Sequence, residues 1–196
     1  MGRVRTFIAV DVGPAVRANA VAVQKALAKC GASVKWVDPA AMHVTLAFLG
    51  ELDERDLHAV CRAVAKVAAA TPEFRLAVEG VGAFPTPRRP KTIWAGITDG
   101  ADDLRRLQAA LEGPLVELGV YRREERGYTP HLTLGRTKAD ADGQAIAAEL
   151  TKFAGWEGGE TPVEEVRVYS SDLYPEGPVY TVLARSELTG RARRDD

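Results

Sequence analysis

His43-Val44-Thr45-Leu46 and His131-Leu132-Thr133-Leu134 are one short pattern written twice in the chain. Each alternates a polar, chemistry-bearing side chain with an aliphatic one, and a period of two is the signature of a β-strand with two different faces. His43 and Thr45 therefore share one face, and His131 and Thr133 share another. Val44, Leu46, Leu132 and Leu134 point the opposite way, into a core. The chain has 3 histidines in all, and two of them sit in these matching sites.

Working outward from the first tetrad, residues 6–10 (TFIAV) read as a buried strand. Gly13-Pro14 opens a helix carrying Val16, Ala20, Val23 and Leu27 at helical spacing, with Gly31 placed to end it. Residues 33–37 are a short extended piece bearing Lys35 and Trp36, and Asp38-Pro39 is a turn. The His43 strand runs to Leu49 and stops at Gly50. Asp53 caps a second helix whose Leu57, Val60, Cys61, Val64 and Val67 share a face. Thr71-Pro72 ends it, and residues 74–84 return as a strand.

Residues 85–91, rich in proline and positive charge, read as a loop between two halves. A strand over 92–97 follows, then a helix from Asp102 with Leu104, Leu107 and Leu111 in phase. Gly113-Pro114 is expected to kink or interrupt it, since proline removes a hydrogen bond and clashes with the preceding turn. Beyond the arginine-rich stretch 121–129, Pro130 leads into the His131 strand. A fourth helix is expected over 142–153, and two strands over 163–173 and 179–188, joined by the turn-rich 174–178. The tail 191–196 is expected to fray.

The two halves have the same order of strand, helix, His-x-Thr strand, helix and strand, so the chain reads as a duplication. A pseudo-twofold arrangement would bring the His-x-Thr strands together across a cleft. The expected fold is α+β and bilobal: two largely antiparallel sheets facing a central cleft, helices outside. One domain, 1–196, would hold lobes at 1–86 and 91–190.

Composition narrows the partners. A net charge of −1 over 196 residues argues against coating long nucleic acid by bulk electrostatics and leaves a small substrate or one RNA end. Cys30 and Cys61 form no CxxC pattern, which speaks against zinc and disulfides and for a reducing compartment. No apolar run reaches the ~20 residues of a membrane span. The opening Met-Gly-Arg-Val-Arg-Thr formally fits a myristoylation pattern, but Thr6 already opens a strand and no second membrane signal follows. His58 beside the apolar stripe of its helix reads as a surface residue, and Trp36 and Trp94 read as core.

The stretches 6–10, Lys35-Trp36-Val37 with 43–50, Ile93-Trp94-Ala95-Gly96, Pro130 with 131–136, Ser171-Asp172-Leu173 and Gly177-Pro178-Val179-Tyr180 resemble the two-histidine (2H) phosphoesterases. Within them the resemblance is to the RNA 2',3'-cyclic phosphodiesterases, also called 2'-5' RNA ligases, and it spans nearly the whole chain. It implies a metal-free, cofactor-free site that opens a 2',3'-cyclic phosphate at an RNA end, such as a tRNA fragment, to a 2'-phosphate. It further implies His43 as proton donor and His131 as proton acceptor, roles that the near-identical tetrads do not themselves distinguish.

The chemistry agrees with this. Opening a cyclic phosphodiester needs a base to activate water and an acid to protonate the departing oxygen, and two facing imidazoles supply both near neutral pH. Thr45 and Thr133 can donate to non-bridging phosphate oxygens. Arg136 stands where the family places a phosphate-contacting arginine. Strict alternation would turn it away, so a bulge at Gly135 is expected. Phe48 holds the equivalent position after His43 and can stack on a base. Arg88, Arg89, Lys91, Arg122, Arg123 and Arg126 are either solvated loop residues or RNA-backbone contacts. The expected protein is a cytoplasmic monomer. Another cyclic nucleotide such as an ADP-ribose cyclic phosphate, reverse 2'-5' ligation, and a non-catalytic nucleotide-binding module remain open as alternatives.

Overall fold

In a computed structural model the chain is described over residues 2–123, 127–175 and 177–191. Strand β1 (Arg3–Asp11) leads to helix α1 (Pro14–Ala28), short β2 (Val34–Trp36) and β3 (His43–Asp53). Helix α2 (Glu54–Ala70) follows, then β4 (Phe74–Thr86), β5 (Arg89–Ile97) and α3 (Ala101–Glu117). The rest is β6 (His131–Thr137), α4 (Asp140–Leu150), β7 (Glu157–Val163), β8 (Glu165–Leu173) and β9 (Pro178–Glu187).

Local chemistry accounts for the ends of several elements. Asp53 caps α2 as expected, its Oδ1 accepting from the Arg55 N–H at 3.0 Å. At the start of α4 the Asp142 carboxylate accepts from the Ala139 and Ser33 N–H groups at 3.0 and 2.8 Å. The fourth helix is shorter than expected and continues as a single 3₁₀ turn, Thr151–Phe153. Pro114 does not interrupt α3. It sits in the last turn, where only one backbone bond is forfeited, and Leu115 beside it is fully buried and holds the turn in place.

The strands form one antiparallel sheet in the order β7-β4-β5-β6-β3-β1-β8-β9, with β2 also paired to β6. The two expected sheets are thus joined at the centre, where β3 and β6 pair only through Val44 and Leu132. Beyond that pair the strands part. β6 takes β2 as its partner through Trp36 and Gly135, and β3 follows β1.

Nor do the halves of the sheet coincide with residues 1–86 and 91–190. β4 lies in the half built around β5 and β6, while β8 and β9 return to flank β1. Residues 85–91 are accordingly no linker. They are the tip of a hairpin in which Pro85 pairs with Pro90 and Thr86 with Arg89. Proline is tolerated there because the register shifts between Phe84 and Pro85, so no ladder donor is needed. Strand β7 was not foreseen. Its Glu-Gly-Gly-Glu-Thr-Pro-Val sequence lacks apolar alternation, and among the described residues it pairs with β4 alone as an edge, a position where glycine and proline persist.

All four helices back one face of the sheet. Val16, Ala20, Val23 and Leu27 of α1, Val60 and Val64 of α2, Leu104, Leu107 and Leu111 of α3, and Ile146 of α4 share a core with Ile8, Val10, Val44, Leu46, Leu132 and Leu134. The other face of β1 carries a small separate cluster of Phe7 and Ala9 with Tyr169, against which Tyr180 and Val182 pack. That uncovered face is where both histidines point. Among the described residues no helix is long and apolar enough to cross a membrane.

Candidate active site

The uncovered face bears a cleft of about 930 Å3 whose walls include His43, Thr45, Phe48, His131, Thr133 and Arg136. All six residues singled out from the sequence therefore meet in one place.

Two backbone bulges make this possible. Ala9 pairs with Thr45 and Ile8 with Ala47, so β3 carries an extra residue at Leu46. Trp94 pairs with Thr133 and Ile93 with Gly135, so β6 carries one at Leu134. An extra residue reverses which face the following side chains occupy. Ala47 and Gly135 turn inward and are buried, and Phe48 and Arg136 turn out beside the histidines. The bulge expected at Gly135 is present one residue earlier, at Leu134, and β3 has its twin. Gly135 is demanded by space, since a Cβ there would lie 2.8 Å from both the Trp36 ring and Val34 Cγ1.

Each imidazole is held in the same way. His43 Nδ1 lies 2.7 Å from the Ala41 carbonyl oxygen, and His131 Nδ1 lies 2.8 Å from that of Thr129. A carbonyl can only accept, so both Nδ1 atoms carry hydrogen and donate. The two Nε2 atoms are left as the exchangeable positions. Burial lowers the pKa of both histidines below 6.5, and the carbonyl contacts only partly offset this.

Smaller influences differ between the two. The Asp11 carboxylate favours protonated His43, opposed by Arg17 and by His131, whereas the Arg136 guanidinium favours neutral His131. Asp11 lies beside His43 in the ladder and is held by Arg17 and by Arg167, the latter at 2.7 Å.

Aromatic rings surround His43. Phe7 stacks on it at 4.8 Å, and the Tyr180 ring meets it edge-on at 5.4 Å. Phe48 is 48% exposed, with Phe7 parallel to it at 6.0 Å and the Arg5 guanidinium 4.9 Å over its ring. Phe84 packs edge-on against His131 at 5.1 Å. Arg136 is exposed and donates to Thr92 Oγ1 at 2.9 Å.

Sequence reasoning missed Phe7, Tyr169 and Tyr180 as site residues. The signal for Phe7 was available, because alternation in TFIAV puts Phe7 and Ala9 opposite Ile8 and Val10. Tyr169 and Tyr180 reach the site only through the return of β8 and β9. Tyr128 was missed as well; its hydroxyl donates to the Thr45 carbonyl oxygen at 2.8 Å, and burial raises its pKa so that it stays a donor. Trp36, read as core, is half-buried and does both jobs, packing on the core and lining the cleft. His58 is exposed on α2, as expected. Of the basic loop residues, Lys91 and Arg123 line a neighbouring chamber, while Arg126 lies outside the described residues.

The comparisons with known proteins agree with this geometry. The RNA 2',3'-cyclic phosphodiesterase of Methanothermobacter thermautotrophicus is 34% identical over 179 residues, covering 91% of this chain and 96% of its own. The protein of the same name from Thermotoga maritima is 34% identical over 186 residues, covering 95% and 96%. A crystal structure of a protein from Thermus thermophilus superposes with a TM-score of 0.81 at 31% identity, covering 96% of this chain and 100% of that one. The model of the 2'-5' RNA ligase superfamily matches residues 14–175. Since that match contains both His-x-Thr strands, their bulges and most of the sheet that sets them side by side, the chain belongs to the 2'-5' RNA ligase superfamily.

Proposed function

We propose that the protein hydrolyses 2',3'-cyclic phosphate at RNA ends to a 2'-phosphate, with His43 as the proton donor and His131 as the proton acceptor. The observation that carries the reading is the matched pair of imidazoles, each oriented by a carbonyl on Nδ1 so that both Nε2 atoms serve one cleft. The names of relatives with similar full-length chains support the same reaction and an RNA or nucleotide substrate.

In the proposed reaction neutral His131 takes a proton from water as the water oxygen bonds to phosphorus. The P–O3' bond breaks, and His43 gives its proton to the departing 3'-oxygen. Burial, with Arg136 adding to it, favours neutral His131, and Asp11 favours a charged His43 against the opposing Arg17 and His131. Thr45 and Thr133 donate to the non-bridging oxygens, Arg136 neutralises phosphate charge, and Phe48 stacks on a base. Two imidazoles suffice as acid and base, so no metal or other cofactor is required. A cytoplasmic monomer is the accompanying proposal, and the unpaired Cys30 and Cys61 favour a reducing compartment.

The test is to incubate the protein with a short RNA ending in 2',3'-cyclic phosphate, with and without EDTA, and to identify the product isomer. A 2'-phosphate formed at equal rate in both is expected. Binding without turnover would make the cleft a recognition module. Loss on chelation, restored by a divalent ion, would remove the metal-free mechanism.

A further inference from the structure

The helices behind the sheet repeat each other as the strands do. α1 buries Ala20, Val23, Gln24 and Leu27, and α3 buries Leu104, Leu107, Gln108 and Leu111, in the same order and spacing. Each helix therefore sends one glutamine inward at the matching place. Gln24 uses its amide nitrogen, donating to the carbonyl oxygens of Val37 and Leu134 at 2.9 Å each and closing the seam beside β6.

In the other half Leu46 stands in β3 where Leu134 stands in β6. No strand corresponding to β2 pairs with β3 there among the described residues. Gln108 is 9% exposed, and its amide has no hydrogen-bond partner among the described residues. In place of a closed seam there is a chamber of about 1010 Å3, at the upper end of ligand-site sizes. Gln108, Phe84 and Lys91 line it, and it opens onto Thr45, Phe48 and His131. The main cleft touches both histidines, whereas this chamber touches only His131.

We propose that the chamber is a subsite for a second nucleotide, the one joined on the 5' side to the nucleotide that bears the cyclic phosphate. The inference rests on reading the cleft as an RNA-end hydrolase. An RNA chain must leave the cleft somewhere, and this exit presents the chemistry a nucleotide needs. Phe48 borders both compartments and can separate two successive bases, and Phe84 also lines the chamber, edge-on to His131. Lys91 is exposed at the rim, where a bridging phosphate would pass. Arg123 also lines the chamber but is held by Glu112 at 2.8 Å. The unused Gln108 amide offers one donor and one acceptor side by side, the pairing that reads a base edge.

The experiment compares kcat/KM for a nucleoside 2',3'-cyclic monophosphate and for a dinucleotide ending in that same cyclic nucleotide. It is run on the wild type, Gln108→Leu and Lys91→Ala. The wild type is expected to prefer the dinucleotide, and each substitution to reduce that preference by roughly fivefold, the size of one lost hydrogen bond. Lys91→Ala should also flatten the salt dependence of the dinucleotide reaction alone. Equal kcat/KM for the two substrates in the wild type, or a preference that survives both substitutions, overturns the subsite. So does an effect seen only when a 5'-hydroxyl oligonucleotide is added as a competing nucleophile, which would assign the chamber to an attacking alcohol. Hydrolysis of neither substrate overturns instead the reading of the cleft. Lys91 is exposed, so its variant remains decisive if Gln108→Leu does not fold.

Discussion

At the scale of single residues the site is governed by two imidazoles with Nδ1 committed to the backbone. Burial depresses both, so the acid and base limbs set by the pair are displaced to lower pH than for free imidazoles. The pH profile of kcat/KM for cyclic phosphate hydrolysis should be a bell with its maximum below 6.5. The kcat profile should lie at higher pH, because a bound phosphate anion favours imidazolium. Arg136→Gln removes a charge that holds His131 neutral, so the acid limb of kcat/KM should move to higher pH; an unmoved limb would dissociate Arg136 from the base. Folding is linked to the same groups. A histidine whose pKa falls on folding contributes stability that is complete above 6.5 and is lost as pH drops through the folded value. Denaturation midpoints should therefore decline less steeply below 6.5 in His43→Ala than in the wild type. Thr45→Ala and Thr133→Ala should fold normally and lose roughly 10- to 1000-fold in kcat, as expected when one donor to developing phosphate charge is removed. Wild-type rates in both would reduce the threonines to strand-formers.

At the scale of elements the decisive features are the paired bulges in β3 and β6. Without them Phe48 and Arg136 would point into the helix-backed core, where an unpaired guanidinium is costly. Gly135 makes the β6 bulge compatible with the Trp36 ring packed over it. Gly135→Ala should cost about 1–3 kcal/mol by overpacking, read from urea midpoints. It should also raise KM, because Trp36 is a wall of the cleft. A variant with wild-type stability and KM would show that Trp36 yields freely and that the glycine is not required for packing.

At the scale of the whole molecule the two halves of the sheet are held in register by one pair at the centre. Leu132 and Val44 are both fully buried there, and the histidines adjoin them in sequence. Leu132→Ala should destabilise the fold by about 2–5 kcal/mol, the usual cost of emptying a core leucine site. Under conditions where the variant stays folded, kcat should fall further than the folded fraction explains, since the angle between acid and base depends on this joint. A loss of stability with unchanged kcat would mean that the cleft is set by the surrounding strands instead.

The sequence by itself determined the strand parity of His43, Thr45, His131 and Thr133, the helices with their apolar stripes, the α+β duplication and the need for a bulge before Arg136. These are local properties, carried by periodicity, capping and steric demand over a few residues. Tertiary structure alone decided that two expected sheets are one, that β4 crosses into the half of β5 and β6, and that β8 and β9 return to β1 with Tyr169 and Tyr180. It also decided that residues 85–91 turn a hairpin and that Gln24 closes a seam which Gln108 leaves open. Strand partnership between distant segments depends on which edges and apolar faces remain free once the whole sheet is assembled, and no window of sequence contains that information.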